Sequence, residues 1–167
     1  MDSANFVRSL TVAALLFYVE MTGTLKAIAH RATDGEPMRE AQQAVVHPGR
    51  GIDLENRKTG RREVTLLAAE AWADTCRELG VEIPWLVRRA NFLIEGVDLA
   101  ATLGQVISIG PVQIRVHGET KPCGIMESQQ AGLRDALKPN FRGGVHGEVL
   151  TGGTIRVGDP VRVTEAG

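Results

Sequence analysis

The sequence predicts a mainly β fold: a closed or nearly closed barrel carrying a few short α-helices. Three observations predict it. Nineteen glycines among 167 residues supply many tight turns, because glycine takes up left-handed backbone at little cost. Short runs rich in Val, Ile and Thr recur through the second half, each bounded by Gly, Pro or Asp, which marks strands rather than helices. Many short strands with few helices leave exposed sheet edges unless the sheet closes on itself.

Taken in order, residues 24–29 (TLKAIA) read as a first strand, followed by an Asp-Gly turn within residues 33–37 (TDGEP). Residues 41–47 (AQQAVVH) form a second strand, closed by a Pro48-Gly49-Arg50-Gly51 turn. Residues 60–67 (GRREVTLL) are a short strand that runs into a helix. For that helix Thr65 is the candidate N-cap. Leu66, Leu67, Ala69, Trp72, Ala73, Cys76 and Leu79 follow at helical spacing, and Gly80 stops it. Residues 84–89 (PWLVRR) form a helical turn, and residues 91–94 (NFLI) a strand ending at Glu95-Gly96. Further strands fall at residues 106–109, 112–117, 144–149, 154–157 and 161–164, punctuated by Gly110-Pro111, Gly152-Gly153 and Gly158-Asp159-Pro160. Residues 128–138 (SQQAGLRDALK) make one helix despite Gly132, ended by Pro139.

Hydrophobic residues at 43% and charged residues at 23% are the composition of a globular protein. No repeat or low-complexity tract divides the chain, so residues 21–167 are read as one barrel domain behind an N-terminal extension, residues 1–20. Within that extension, residues 10–19 (LTVAALLFYV) are apolar and follow Arg8. They are too few to span a bilayer, which takes about 20 apolar residues, and no small-x-small cleavage site follows. An accessory helix, an uncleaved targeting segment and an extension upstream of a natural start at Met21 all stay open. No other stretch is long enough to cross a membrane, and the expected location is the cytoplasm. With a net charge of −1 the chain has no basic excess to neutralise a phosphate backbone, which argues against nucleic-acid binding.

Chemistry concentrates at Cys123, in Lys121-Pro122-Cys123-Gly124. Pro122 fixes the chain direction and Gly124 leaves room beside the sulfur, which puts the thiol on a loop at the barrel mouth. Lys121 is two residues away and Arg142 approaches after the intervening helix. Cationic neighbours favour a thiolate, which can act as a nucleophile, carry a persulfide or ligate a soft metal. The bland reading, a loop cysteine with no task, stands beside these. Cys76, among apolar neighbours on the helix, reads as a small buried hydrophobe. The histidines, His30, His47, His117 and His146, show no zinc-ligand spacing. Arg88-Arg89 is either a solvated charge pair or a clamp for phosphate or carboxylate.

In order along the chain, GRREVTLL (residues 60–67), RANFLIEGVDL (89–99), Ile109-Gly110, Lys121-Pro122-Cys123, Arg142-Gly143-Gly144-Val145, Gly152-Gly153-Thr154-Ile155 and Val157-Gly158-Asp159-Pro160-Val161 resemble the MOSC family, named after the C-terminal domain of molybdenum-cofactor sulfurase. The resemblance implies a MOSC-type β-barrel bound up with molybdenum-cofactor chemistry. It implies that Cys123 either ligates molybdenum or carries sulfur as a persulfide. It further implies that Arg89 and Asn91 line a molybdopterin pocket, with Lys121 and Arg142 as neighbours; basic side chains there suit the cofactor's phosphate. Pyridoxal phosphate comes with the resemblance only as a family-level association. One segment departs from the pattern: where the family often has Gly-Asp-Arg-His, this chain has Gly51-Ile52-Asp53-Leu54-Glu55-Asn56-Arg57-Lys58. Asp53 or Glu55 with Arg57 is the candidate replacement.

Three functions follow from the resemblance: a molybdenum reductase of N-hydroxylated small molecules, a persulfide sulfur carrier, and a non-enzymatic molybdopterin-binding or carrier module. With two cysteines and no desulfurase domain, the first needs an electron-donor protein and the second a cysteine desulfurase-type sulfur donor.

Overall fold

Alternating burial builds the strands. In β8 (Val112–Glu119), Val112, Ile114 and Val116 point into the core while Gln113 and His117 point out. In β5 (Val64–Ala68), Leu66 faces the barrel interior and Leu67 faces the helices outside. The computed structural model describes residues 20–55 and 60–164. The N-terminal run at residues 10–19 and the candidate Arg57 lie outside the described residues.

Seven strands close the barrel. Around the ring they run β1 (Thr22–His30), β11 (Pro160–Thr164), β7 (Val106–Ile109), β8, β9 (Val145–Thr151), β5 and β6 (Phe92–Glu95), which pairs back with β1. Every pairing is antiparallel except β5–β6. That parallel pair needs a crossover, which α1 (Ala69–Leu79) supplies. The short β2 (Arg39–Ala41) pairs with the far end of β1. Outside the ring, β3 (Gln43–His47) pairs with β4 (Gly51–Ile52) and β10 (Gly153–Arg156) in a second, three-stranded sheet.

Two apolar clusters hold the layers together. The barrel interior is filled by side chains such as Leu25, Ile28, Phe92, Ile94, Ile107 and Ile114, all without solvent exposure. The second cluster joins the barrel wall at Leu67 to α1 through Trp72, to α2 (Gly124–Gln129) through Met126, and to α3 (Leu133–Ala136) through Leu133. Each such fully buried side chain stabilises the fold by about 1.5–3 kcal/mol.

Several sequence expectations need correction. Thr65 is no helix cap: it lies in β5, paired with His146 of β9. The helix starts only at Ala69, behind Ala68, which makes no side-chain cap. The predicted stop holds: Gly80 adopts φ 67° and its N–H reaches the Arg77 and Cys76 carbonyls. Residues 128–138 are not one helix. The chain leaves α2 at Gln130 and turns through Gly132 at φ 83° before α3 begins; the glycine that periodicity passed over is the break. The turn at residues 48–51 is followed by the two-residue β4, and a 3-10 turn at Leu99–Thr102, capped by Asp98, was not signalled by apolar spacing.

Candidate functional site

Cys123 is exposed, yet the backbone on both sides of it is anchored. Pro122 before it is buried, and Met126, 1% exposed, returns its N–H to the Cys123 carbonyl at 3.0 Å. Upstream, Thr120 is tied to the barrel by its N–H to the Gly144 carbonyl, 2.9 Å. The thiol therefore projects from a fixed position at the end of β8.

It opens onto a cavity of about 260 Å³ whose wall carries Arg31, Arg62, Arg88, Arg89 and Lys121, and no carboxylate among its lining residues. These cations come from four stretches: the end of β1, the approach to β5, the turn before β6 and the end of β8. Barrel closure brings them together. Five like charges around one space repel unless something anionic shares it.

The two adjacent arginines do different work. Arg88 turns inward, 7% exposed, donating from Nε to the Gly143 carbonyl at 2.8 Å and from Nη2 to the Thr120 carbonyl at 2.7 Å. Burial lowers its pKa, the nearby Cys123 raises it and Arg62 lowers it; a guanidinium stays charged throughout. It is thus both a strut fastening two loops and a positive charge beside the thiol. Arg89 has left-handed backbone, φ 64°, where a non-glycine residue costs roughly 1–3 kcal/mol. That bend sends successive arginines in different directions. Arg31 pairs with Asp34 at 3.0 Å through Nη2, but its Nη1 is buried with no hydrogen-bond partner among the described residues. A buried, unused guanidinium donor is expensive to leave unmet, and it is a donor that an anionic oxygen placed in the cavity would satisfy.

Of the residues expected from sequence, Arg89, Lys121 and Cys123 meet at this cavity. Asn91 does not line it. It sits behind the wall, 1% exposed, with every side-chain group engaged. Its Oδ1 accepts from the Thr65 N–H at 3.0 Å and from Thr65 Oγ1 at 3.2 Å. Its Nδ2 donates to the Ala29 carbonyl at 3.3 Å and to Glu55 Oε1 at 2.9 Å. Glu55 also accepts the Arg31 N–H at 3.4 Å, so Asn91 positions the strand ends that carry Arg31 and Thr65. Arg142 lies on another cavity, of about 410 Å³, with Glu70, Asp74 and Asp98, and is held by Glu78 and by the Ala136 carbonyl at 3.1 Å. That cavity is larger than the one beside Cys123, but the thiol and the cations are in the smaller one. Asp53 lines a separate small cavity with Leu54 and Thr154. Arg31 and Arg62 gave no local signal, because only the fold sets them beside Cys123.

Among the described residues no group of three or more His, Cys, Asp or Glu converges as a metal site. A metal bound beside Cys123 would need most of its ligands from a cofactor. The donor set fits such a group: basic side chains suit a phosphate, and a thiolate suits a soft metal.

The fold and site are those of a seven-strand barrel with one exposed thiol at the edge of a cationic cavity. The MOSC domain model matches residues 38–162, and the chain belongs to the MOSC domain family, a family associated with the molybdenum cofactor. Among solved structures it resembles the YuaD protein of Bacillus subtilis, with a TM-score of 0.74 at 19% identity, over 89% of this chain and 99% of that one. It also resembles YiiM of Geobacillus stearothermophilus, with a TM-score of 0.63 at 14% identity over 88% of this chain and 76% of that one. For YiiM of Escherichia coli the TM-score is 0.65 at 12% identity, over 89% and 70%. At these identities the likeness speaks for the fold. No curated protein matches the chain in sequence. Among the described residues no helix is long and apolar enough to cross a membrane.

Proposed function

We propose that this protein binds a molybdopterin-type cofactor in the cavity beside Cys123, ligates its molybdenum through the Cys123 thiolate, and reduces N-hydroxylated small molecules with electrons from a partner protein. The observation that carries this reading is the conjunction of five cations, no carboxylate and one exposed thiol around a single cavity. When bound, the cofactor supplies two-electron redox chemistry at a metal. The overall reaction balances as an N–OH group plus two electrons and two protons giving N–H and water. The chain's own part is binding and orientation. Arg31, Arg62, Arg89 and Lys121 hold the anionic cofactor by charge-assisted hydrogen bonds. Arg88 keeps a positive charge next to the sulfur and locks the Gly143 and Thr120 loops around it.

The exposure of Cys123 favours one second reading, sulfur transfer. Its thiolate attacks the outer sulfur of a donor persulfide, forms a new S–S bond and releases the donor's thiolate. A molybdopterin-binding module without catalysis is the cofactor reading stripped of its electron partner. Protein made in a molybdenum-replete host separates them. Near-stoichiometric molybdenum that Cys123→Ser loses while keeping its fold supports the metal reading. An adduct of one sulfur atom on Cys123, removed by reductant, supports the carrier. Unchanged molybdenum content in Cys123→Ser sinks the central claim.

A further inference from the structure

A second cavity, of about 450 Å³, adjoins the first: Arg89 and Ile125 line both. The two halves have opposite chemistry. Beyond Arg89 the cations give way to Pro37, Met38, Leu86, Val87 and Ile125, with Glu36 and Gln129 as the polar members of the wall. Ile125 is 44% exposed although it lies two residues from Cys123 on the first turn of α2. A large aliphatic side chain left half in water at the junction of two cavities is unburied surface that a ligand can cover. The walls are braced rather than loose. Trp85 Nε1 donates to Glu40 Oε1 at 2.7 Å, tying the turn that carries Leu86 and Val87 to β2. Thr33 Oγ1 donates to Glu36 Oε1 at 3.0 Å, closing the loop that carries Pro37.

We infer that this groove is the substrate site. It takes the apolar ring body of a small molecule, Met38, Leu86, Val87 and Ile125 determine specificity, and the polar end passes Arg89 to reach the space beside Cys123. The volume is that of a small-molecule pocket, about 300–1,000 Å³, and a largely apolar lining with Arg89 at the end next to Cys123 and Glu36, engaged by Thr33, on the loop that carries Pro37 orients an amphipathic ligand. Such a site discriminates by the ligand's body: a compound with the same polar end but no ring forfeits the burial. The inference rests on the cavity beside Cys123 being the reactive one.

The test compares phenylphosphonate with methylphosphonate, which share the charged end and differ in the body, by calorimetry on the purified protein after its molybdenum content has been measured. Phenylphosphonate binds about tenfold tighter or more, from burial of its ring. In Met38→Ser/Leu86→Ser, whose parents lie in partly exposed segments, the ratio falls to near one. Equal affinities in the wild type, or a ratio that survives in the double variant, overturn the groove assignment. A high ratio in protein that never retains molybdenum at Cys123 keeps the groove and removes the redox reading. Retained molybdenum with a ratio near one does the reverse.

Discussion

Replacing Asn91 with alanine separates a residue that positions the site from one that lines it. The substitution deletes four side-chain hydrogen bonds, two from Thr65, one to Ala29 and one to Glu55. Neutral bonds contribute about 0.5–1.5 kcal/mol each and bonds to charged groups about 1.5–3. All four are within a region where Asn91 is 1% exposed, so water does not replace them freely. Together they amount to about 3–7 kcal/mol, a large part of the roughly 5–15 kcal/mol that holds a domain folded. At about 2–4 °C per kcal/mol for a chain of this size, the melting temperature should drop by about 6 °C or more. Thermal unfolding followed by circular dichroism reads the drop. Cofactor content, measured well below the transition, should stay close to that of the unaltered protein. A melting temperature lowered by no more than about 2 °C would refute the network as argued. Lost cofactor without lost stability would return Asn91 to the cavity wall.

Other consequences are as direct. Gly143→Ala sets a methyl group 2.6 Å from the Thr120 carbonyl oxygen and 3.2 Å from Arg88 Nη2. It should cost about 1–3 kcal/mol and weaken oxyanion binding, read by chemical denaturation and phosphate titration; an unchanged midpoint would show that the loops yield freely. His146 has its pKa lowered by burial, then by Arg62 and His117, against a raising contribution from the Glu119 backbone. The unfolded chain therefore binds the proton first. The neutral ring's contribution is complete above the ordinary imidazole value of about 6.5 and is lost as pH falls below it. Melting curves across that window should flatten in His146→Gln, and an unaltered slope would assign the pH dependence elsewhere. Cys123→Ser should abolish metal retention without a large change in melting temperature, because the exposed side chain makes no cap hydrogen bond.

The β-rich second half was legible because its strands are local events: Val112, Ile114 and Val116 announce their own alternation, and Gly110-Pro111 announces the turn. Cys123 and Lys121 were legible for the same reason, being neighbours in the chain. What stayed hidden is what closure creates. Thr65 looks like a cap because polar Thr precedes two leucines, yet its hydroxyl is engaged by Asn91, 26 residues on. Arg31 and Arg62 look like surface charge until β1 and β5 take their places in the ring. Arg88 and Arg89 are indistinguishable as a dipeptide; one left-handed residue splits them into a strut and a free-facing charge. Gly132 was visible, but its force as a helix break depends on the αL turn it adopts between α2 and α3.

The ring's closure also sets an order of events. β1 meets β11 through Thr22, Gly23 and Thr24 paired with Arg162, Val161 and Pro160, so two segments at opposite ends of the described chain must find each other before the barrel is complete. Contacts between distant segments form slowly, since loop-closure entropy is lost before they give anything back. Arg31 follows the far end of that same β1, and the other cations hang from strands that the ring fixes. Until it closes, the charges are dispersed along an open chain. The cationic cavity is therefore a product of late, long-range closure: the cluster of charges exists only once the ring does.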